Sequence, residues 1–142
     1  MLNLLSWLLP AILSPDRHIL LHVDSVDGRH NDTIDIHYSH SGGTNNFINF
    51  SFVTRISIPV PDISPLYRQV PVALAFSSDG SKFAMTMACS RVSVWDIRSK
   101  VPLKTFREAP NSGFVRHLQF SSGKLGKEVL IFVEVRLPMF TL

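Results

Sequence analysis

One unit of strand, turn and strand occurs three times along this 142-residue chain. The copies pass through Leu13-Ser14-Pro15-Asp16, Phe76-Ser77-Ser78-Asp79-Gly80 and Phe120-Ser121-Ser122-Gly123. The second and third copies begin 44 residues apart, and the first begins 63 residues before the second. A repeat of about 40 to 45 residues is typical of proteins in which each repeat forms one small β-sheet. This repetition constrains the fold more than any other feature of the sequence.

The segments between the turns have the pattern of strands. Nine prolines punctuate the chain, and proline inside a helix removes a hydrogen bond and clashes with the preceding turn. Apolar and polar residues alternate over residues 48–58, which predicts a strand with its even-numbered side chains on one apolar face. Residues 17–24, 82–88 and 128–135 are apolar on both faces, which predicts strands covered on both sides. About ten short strands separated by turns indicate an all-β protein.

The middle copy resembles a WD40 repeat. Its sequence, VALAFSSDGSKFAMTMACSRVSVWDI at residues 72–97, contains the Asp79-Gly80 turn and the Trp95-Asp96 pair. The segment VRHLQFSSG, residues 115–123, is similar to the opening of the next repeat, and residues 11–39 are similar to a degenerate earlier one. The resemblance implies an all-β, incomplete β-propeller segment of antiparallel four-stranded blades. Its structural motif residues are Asp79, Gly80, Trp95 and Asp96.

The resemblance also implies how the middle blade is built. Its third strand lies between two others, so Val92, Val94 and Trp95 are expected to be buried, and Asp96 opens the turn toward an outer strand near residues 103–106. The chain has no Gly-His dipeptide, and Cys89 stands where the family commonly has an Asp. We therefore expect packing, rather than a polar network around the Trp, to hold this blade together.

The repeats predict a division of the chain into four parts. These are a degenerate first blade at 1–58, a Pro-rich linker at 59–71, a WD40-like blade at 72–106 and the truncated start of a third blade at 107–142. Propellers contain about 4 to 8 blades. The sequence is therefore expected to be a fragment of a longer propeller protein. The exposed apolar run of the unfinished third blade, residues 129–133, predicts self-association when the chain is expressed alone.

No motif of enzyme chemistry occurs in the sequence. There is no G-x-S-x-G elbow, Gly-rich phosphate loop or zinc-type ligand spacing. The four histidines at positions 18, 22, 37 and 40 fit no metal motif, and Cys89, beside Met85 and Met87, has the surroundings of a small buried hydrophobe. We expect no catalytic, cofactor-binding or metal-binding residues.

The distribution of charge and the N-terminal sequence limit the kinds of partner and the compartment that we expect. The net charge of +3 comes from scattered Lys and Arg without an aromatic-basic motif, so we expect no specific nucleic acid. The apolar run at 4–13 is too short for a membrane span and lacks the preceding positive charge of a signal peptide. The single cysteine, Cys89, precludes an intrachain disulfide and fits a reducing compartment, cytoplasm or nucleus.

These observations favour a non-enzymatic protein–protein interaction or scaffold module with unknown protein partners. Two alternatives stay open. In the first alternative, the chain is a truncated gene product without independent activity. In the second, it is a small secreted β protein whose N-terminal segment acts as a signal. The mature N-terminus would separate the secreted alternative from the other two.

Overall fold

The computed structural model describes residues 11–24, 33–41, 48–58, 73–87, 91–106, 114–124 and 126–135. Within these ranges the chain is built of ten strands: β1 (Ala11–Leu13), β2 (Ile19–Asp24), β3 (Thr33–Ser41), β4 (Ile48–Ser57), β5 (Leu74–Phe76), β6 (Lys82–Met87), β7 (Arg91–Asp96), β8 (Lys104–Phe106), β9 (Phe114–Phe120) and β10 (Leu130–Val135). In this part of the chain, no helix is long and apolar enough to span a bilayer.

The strands form two antiparallel four-stranded sheets, β1-β2-β3-β4 and β5-β6-β7-β8, and an antiparallel hairpin of β9 and β10. The predicted all-β class with antiparallel four-stranded sheets is confirmed. The chain divides into two compact units, Met1–Pro59 and Val60–Leu142. The predicted Pro-rich linker, 59–71, lies outside the described residues, and the predicted domain boundaries stay predictions.

In the first sheet, β2 and β3 bury most of one face, and this face opens at Tyr38, which is 38% exposed. Alternate residues of β2 are buried, among them Leu21 and Val23, which pair with Ile36 and Ile34 of β3. All four side chains are at most 1% exposed. Burial of an aliphatic side chain stabilises a fold by about 1.5–3 kcal/mol, so these four cross-strand neighbours account for much of the stability of this unit.

A β-bulge in β4 overturns the prediction that residues 48–58 share one apolar face. Thr54 pairs with Ile36, but Phe52 pairs with the next residue, His37, so Val53 is the extra residue. The even-numbered side chains before the bulge therefore lie on the opposite face of the sheet from those after it. Ile56 is buried on the same face as its partner Ile34, whereas Phe52 is 56% exposed.

The second sheet is buried on both faces. One face, formed by Ala75, Ala84 and Val92, packs against Val115 and Leu118 of β9 in a continuous apolar core. The opposite face contains the buried side chains of Phe83, Met85 and Trp95. The prediction that residues 82–88 form a strand covered on both faces is correct for β6. For residues 128–135 the same prediction is wrong, because Ile131 and Val133 on one face of β10 are 54% and 50% exposed and Phe132 on the other face is 39% exposed.

Candidate interaction surface

The loops that connect the first two strands of each repeat are held by the same pair of hydrogen bonds. The hydroxyls of Ser14, Ser77 and Ser121 accept the backbone N–H of Ile19, Lys82 and Val129, each at 2.9 Å. The same serines donate their own N–H to the carbonyl oxygens of those residues at 2.8–2.9 Å. The three sequence copies therefore adopt one loop geometry, although the third loop is three residues longer.

Asp79 organises the loop of the middle repeat. Its Oδ1 accepts hydrogen bonds from the Ser81 N–H at 2.9 Å and from the hydroxyls of Ser81 and Ser77 at 2.7 Å. These bonds, that of the Ser81 backbone first, hold the pKa of the Asp79 carboxyl well below its ordinary range. Asp16 has the same role in the first repeat, where Ser14 donates to it at 2.5 Å and lowers its pKa. The structure thus places Asp79 in a turn, where its carboxylate stabilises the loop.

Gly80 lies in the same turn with a φ of 72°, and Arg17 occupies the equivalent position of the first repeat with a φ of 63°. A residue with a side chain is strained by about 1–2 kcal/mol in this left-handed region. Sequence inspection of the first repeat alone missed this position, but comparison of Ser14-Pro15-Asp16-Arg17 with Ser77-Ser78-Asp79-Gly80 shows it.

We expect Gly80→Ala to lower the free energy of unfolding by about 1–2 kcal/mol, because alanine must adopt the left-handed conformation. In the reciprocal variant, Arg17→Gly, relief of that strain is partly offset by the greater chain entropy of glycine, about 0.5–1 kcal/mol. A small gain is therefore expected. Urea titration of both variants measures the two changes, and a gain from Gly80→Ala would contradict the assignment of these turns.

Asp96 ends β7 and forms a local ion pair. Its two carboxylate oxygens each accept a bond from the Arg98 guanidinium at 3.0 Å, and Oδ1 also accepts the Arg98 N–H at 2.9 Å. The guanidinium bonds, followed by the backbone bond, lower the pKa of Asp96 to about 2. The chain then turns toward β8, so Asp96 stabilises a turn at the surface.

These carboxylates predict a loss of stability in acid. The pKa values of Asp16, Asp79 and Asp96 all lie below the ordinary 3.8. Their contribution is therefore complete above about pH 4 and decreases as pH falls from there through their folded-state pKa values. The urea concentration at the midpoint of unfolding should decrease as the pH is lowered from 5 to about 2. This decrease should be less steep for Asp79→Asn than for the wild type. An equal decline for this variant would show that the loop carboxylate is not responsible.

Trp95 lies at one end of an aromatic row that crosses β7, β6 and β5, with Phe83 in the middle. Its indole stacks on the cross-strand neighbour Phe83 with ring centroids 5.3 Å apart and planes 7° apart, and Phe83 in turn contacts Phe76 at 6.4 Å. Trp95 is 1% exposed, and its Nε1 has no hydrogen-bond acceptor among the described residues. Cys89, the residue at the family's Asp position, lies outside them. The role of Trp95 is packing.

A polar row crosses the first sheet on the face opposite its buried aliphatic residues. His22, Asp35 and Arg55 are in register on β2, β3 and β4. Arg55 forms a bidentate pair with Asp35, with Nε–Oδ1 and Nη2–Oδ2 distances of 2.5 and 2.7 Å, and lies 3.7 Å from Asp24. The guanidinium bonds lower the pKa of Asp35.

The potential ligand atoms of His22, Asp24 and Asp35 lie within 4.8 Å of one another, a spacing that can hold a cation. Both oxygens of Asp35 already accept bonds from Arg55, however. A cation at this position would compete with the Arg55 guanidinium for the Asp35 oxygens, and it would be repelled by the positive charge of that guanidinium. The arrangement is that of a salt bridge between strands, and the absence of a metal site stays a prediction.

Three consecutive apolar side chains of β10, those of Ile131, Phe132 and Val133, are exposed. Leu20, Phe83 and Leu130 occupy equivalent positions in β2, β6 and β10, each opposite the residue before the repeat serine. At the next position, Leu21 and Ala84 are completely buried, but Ile131 is 54% exposed. Two residues further on, Val133 is 50% exposed. Two differences accompany this exposure. A third strand pairs with β2 and with β6, whereas the described strands place none beside β10, and the face of Ala84 is covered by Val115 and Leu118, whereas the face of Ile131 is half exposed.

No protein-family model and no curated protein matches the chain. Its strand arrangement is similar to that of solved β-propeller structures. The β-propeller domain of Cps50 (Swd1) from Myceliophteria thermophila matches with a TM-score of 0.52 and 10% identity, over 78% of this chain and 30% of that one. Hsv2 from Kluyvelomyces marxianus matches with a TM-score of 0.55 and 14% identity, over 86% of this chain and 35% of that one.

A KlHsv2 variant with loop 6CD replaced by a Gly-Ser linker gives a similar match, with a TM-score of 0.55 and 15% identity over 86% of this chain and 34% of that one. At these identities the likeness establishes the fold, which is that of β-propeller blades. The chain spans about a third of the length of these structures.

Proposed function

We propose that this chain is a non-enzymatic, WD40-like interaction module that docks other polypeptides along the open edge of its third repeat. The exposure of β10 is the observation that carries this proposal. Ile131 and Val133 are about half exposed at positions that are fully buried in the other two repeats. The motif residues, in contrast, are engaged in turns or packing, and Trp95 is buried. Fold analogy supports a scaffold role, because propellers commonly serve as docking platforms.

The same proposal includes the larger assembly. A propeller needs at least four blades, and the described strands provide two four-stranded sheets and one hairpin. The chain is therefore proposed to be a segment of a larger propeller protein. We further propose a location in the cytoplasm or nucleus, because its single cysteine fits a reducing compartment. Transcript sequence that encodes further Trp-Asp repeats in frame after Leu142 would support the segment proposal.

Cross-linking in cells that express the tagged chain tests the docking role. Phe132→Lys places a charge in the middle of β10, which disfavours strand pairing at this edge. Val101→Lys is the matched control, because Val101 is 69% exposed and lies in the loop between β7 and β8. Polypeptides that cross-link to the wild type and to the control, but not to Phe132→Lys, support the proposal. Identical cross-linked species for all three proteins would overturn it.

A further inference from the structure

Among the described strands, none pairs with the edge of β10 that faces away from β9, and this edge has the chemistry of a strand that pairs on both sides. Ile131 and Val133 project from one face, and Phe132, which is 39% exposed, projects from the other. The hairpin already packs against the second sheet through Val115 and Leu118 of β9, but these three side chains of β10 stay 39–54% exposed. An edge strand that is apolar on both faces is also a template for pairing with another chain.

The two complete sheets show which residues belong beside such a strand. Opposite the positions equivalent to Ile131 and Val133, β7 presents Val94 and Val92, and β3 presents Ile36 and Ile34. All four partners are β-branched. The third strand is antiparallel in both sheets. A suitable occupant of the β10 edge is therefore an antiparallel strand with β-branched residues two positions apart.

We propose that this occupant is β10 of a second copy of the chain. When two β10 strands pair antiparallel about Phe132, Val133 of one copy lies opposite Ile131 of the other, so both β-branched positions are filled. The two Phe132 side chains then face each other, and aromatic cross-strand pairs stabilise antiparallel sheets. Two hairpins joined in this way form one sheet of four strands, the same number as in β1–β4 and β5–β8.

The symmetry of this arrangement makes it self-limiting. Pairing about Phe132 is isologous, because the same surface of each copy is used, and both open β10 edges are consumed. The expected product is a closed dimer. This inference rests on the proposed function, since it names the partner of the same edge.

Light scattering after size exclusion of the purified 142-residue chain tests the association. We expect a species of twice 16.0 kDa that dissociates on dilution. Phe132→Lys should be monomeric at concentrations at which the wild type and Val101→Lys are dimeric. A wild-type monomer at every concentration would overturn the inference, as would a dimer that persists in Phe132→Lys.

The register is tested independently by disulfide trapping in a Cys89→Ser background. Residues directly opposite in an antiparallel pair have Cα atoms about 4.5–5.5 Å apart, which a disulfide can bridge. Phe132→Cys should therefore give a covalent dimer under mild oxidation, and Leu103→Cys, an exposed residue outside the strands, should not. Equal trapping of the two variants would overturn the register even if Phe132→Lys fails to fold.

The two proposals fail in different ways. A wild-type chain that is monomeric in solution, but still cross-links to other polypeptides through an edge sensitive to Phe132→Lys, would refute the second-copy inference and retain the docking function. A chain that is monomeric and has no partner sensitive to this substitution would refute both. A dimer with the predicted trapping supports both.

Discussion

Replacing Trp95 by Ala is expected to lower the free energy of unfolding by about 3–5 kcal/mol, the usual cost of truncating a buried large aromatic side chain. The indole is 1% exposed and stacks on Phe83 with centroids 5.3 Å apart, so its removal leaves a cavity in the aromatic row. Since folded domains are stable by about 5–15 kcal/mol in total, this loss threatens the whole second unit. Urea titration at a fixed protein concentration measures it.

Trp95→Phe separates packing from hydrogen bonding. Phenylalanine keeps a ring against Phe83 and removes an Nε1–H that has no acceptor among the described residues. A buried unsatisfied donor costs about 1–3 kcal/mol, so its removal offsets part of the lost contact area. We therefore expect less than half the loss of Trp95→Ala. Val101→Ala is the control and should change stability by no more than about 0.5 kcal/mol. A loss of under about 1 kcal/mol for Trp95→Ala would contradict the packing role.

The sequence predicted local structure well because strands and turns have local signals. The ten strands and the loop at Asp79-Gly80 follow from alternation and turn residues within single repeats. The burial of Val92 and Trp95 was implied by the WD40 resemblance, and Val94, expected to be buried with them, is only partly buried. The order of the strands within each sheet also follows from the repeat, since consecutive short strands pair as neighbours.

What could not be predicted depends on register and on neighbours. The bulge at Val53 reverses the faces of β4, and an extra residue leaves no trace in a period-two pattern. The exposed apolar run at 129–133 was predicted, and Ile131 and Val133 are 54% and 50% exposed, but the pattern of a strand does not show which other strand would cover it. The left-handed Arg17 becomes visible only when its repeat is compared with the one that contains Gly80.

The pair between Asp35 and Arg55 was also missed, because the two residues are 20 positions apart and only the register of β3 and β4 brings them together. Arg55→Met is expected to lower the free energy of unfolding at neutral pH by about 2 kcal/mol. Breaking a fully buried pair costs about 3–5 kcal/mol, but here the Arg55 side chain is 42% exposed while that of Asp35 is 9% exposed. The loss arises because a nearly buried carboxylate is left without its guanidinium.

The pH dependence of this loss identifies its cause. Arg55 lowers the pKa of Asp35, so in Arg55→Met that pKa rises, and protonation relieves the unpaired charge. The difference in stability between the wild type and Arg55→Met should therefore shrink as pH falls through the raised pKa. Because Asp35→Asn removes the charge itself, the double variant Asp35→Asn/Arg55→Met should recover part of the loss at neutral pH. A difference that is independent of pH would contradict this account.

The protein contains its own control for burial. Arg98 and Asp96 form a bidentate pair of similar geometry, with both distances 3.0 Å, but the Arg98 side chain is 82% exposed. Exposed ion pairs contribute about 0–1 kcal/mol because water and salt screen them. Double-mutant cycles should therefore give a clearly larger coupling energy for Asp35 and Arg55 than for Asp96 and Arg98. The coupling of the exposed pair should also fall more steeply with added salt. Equal coupling energies would mean that the burial of Asp35 does not strengthen its bond to Arg55.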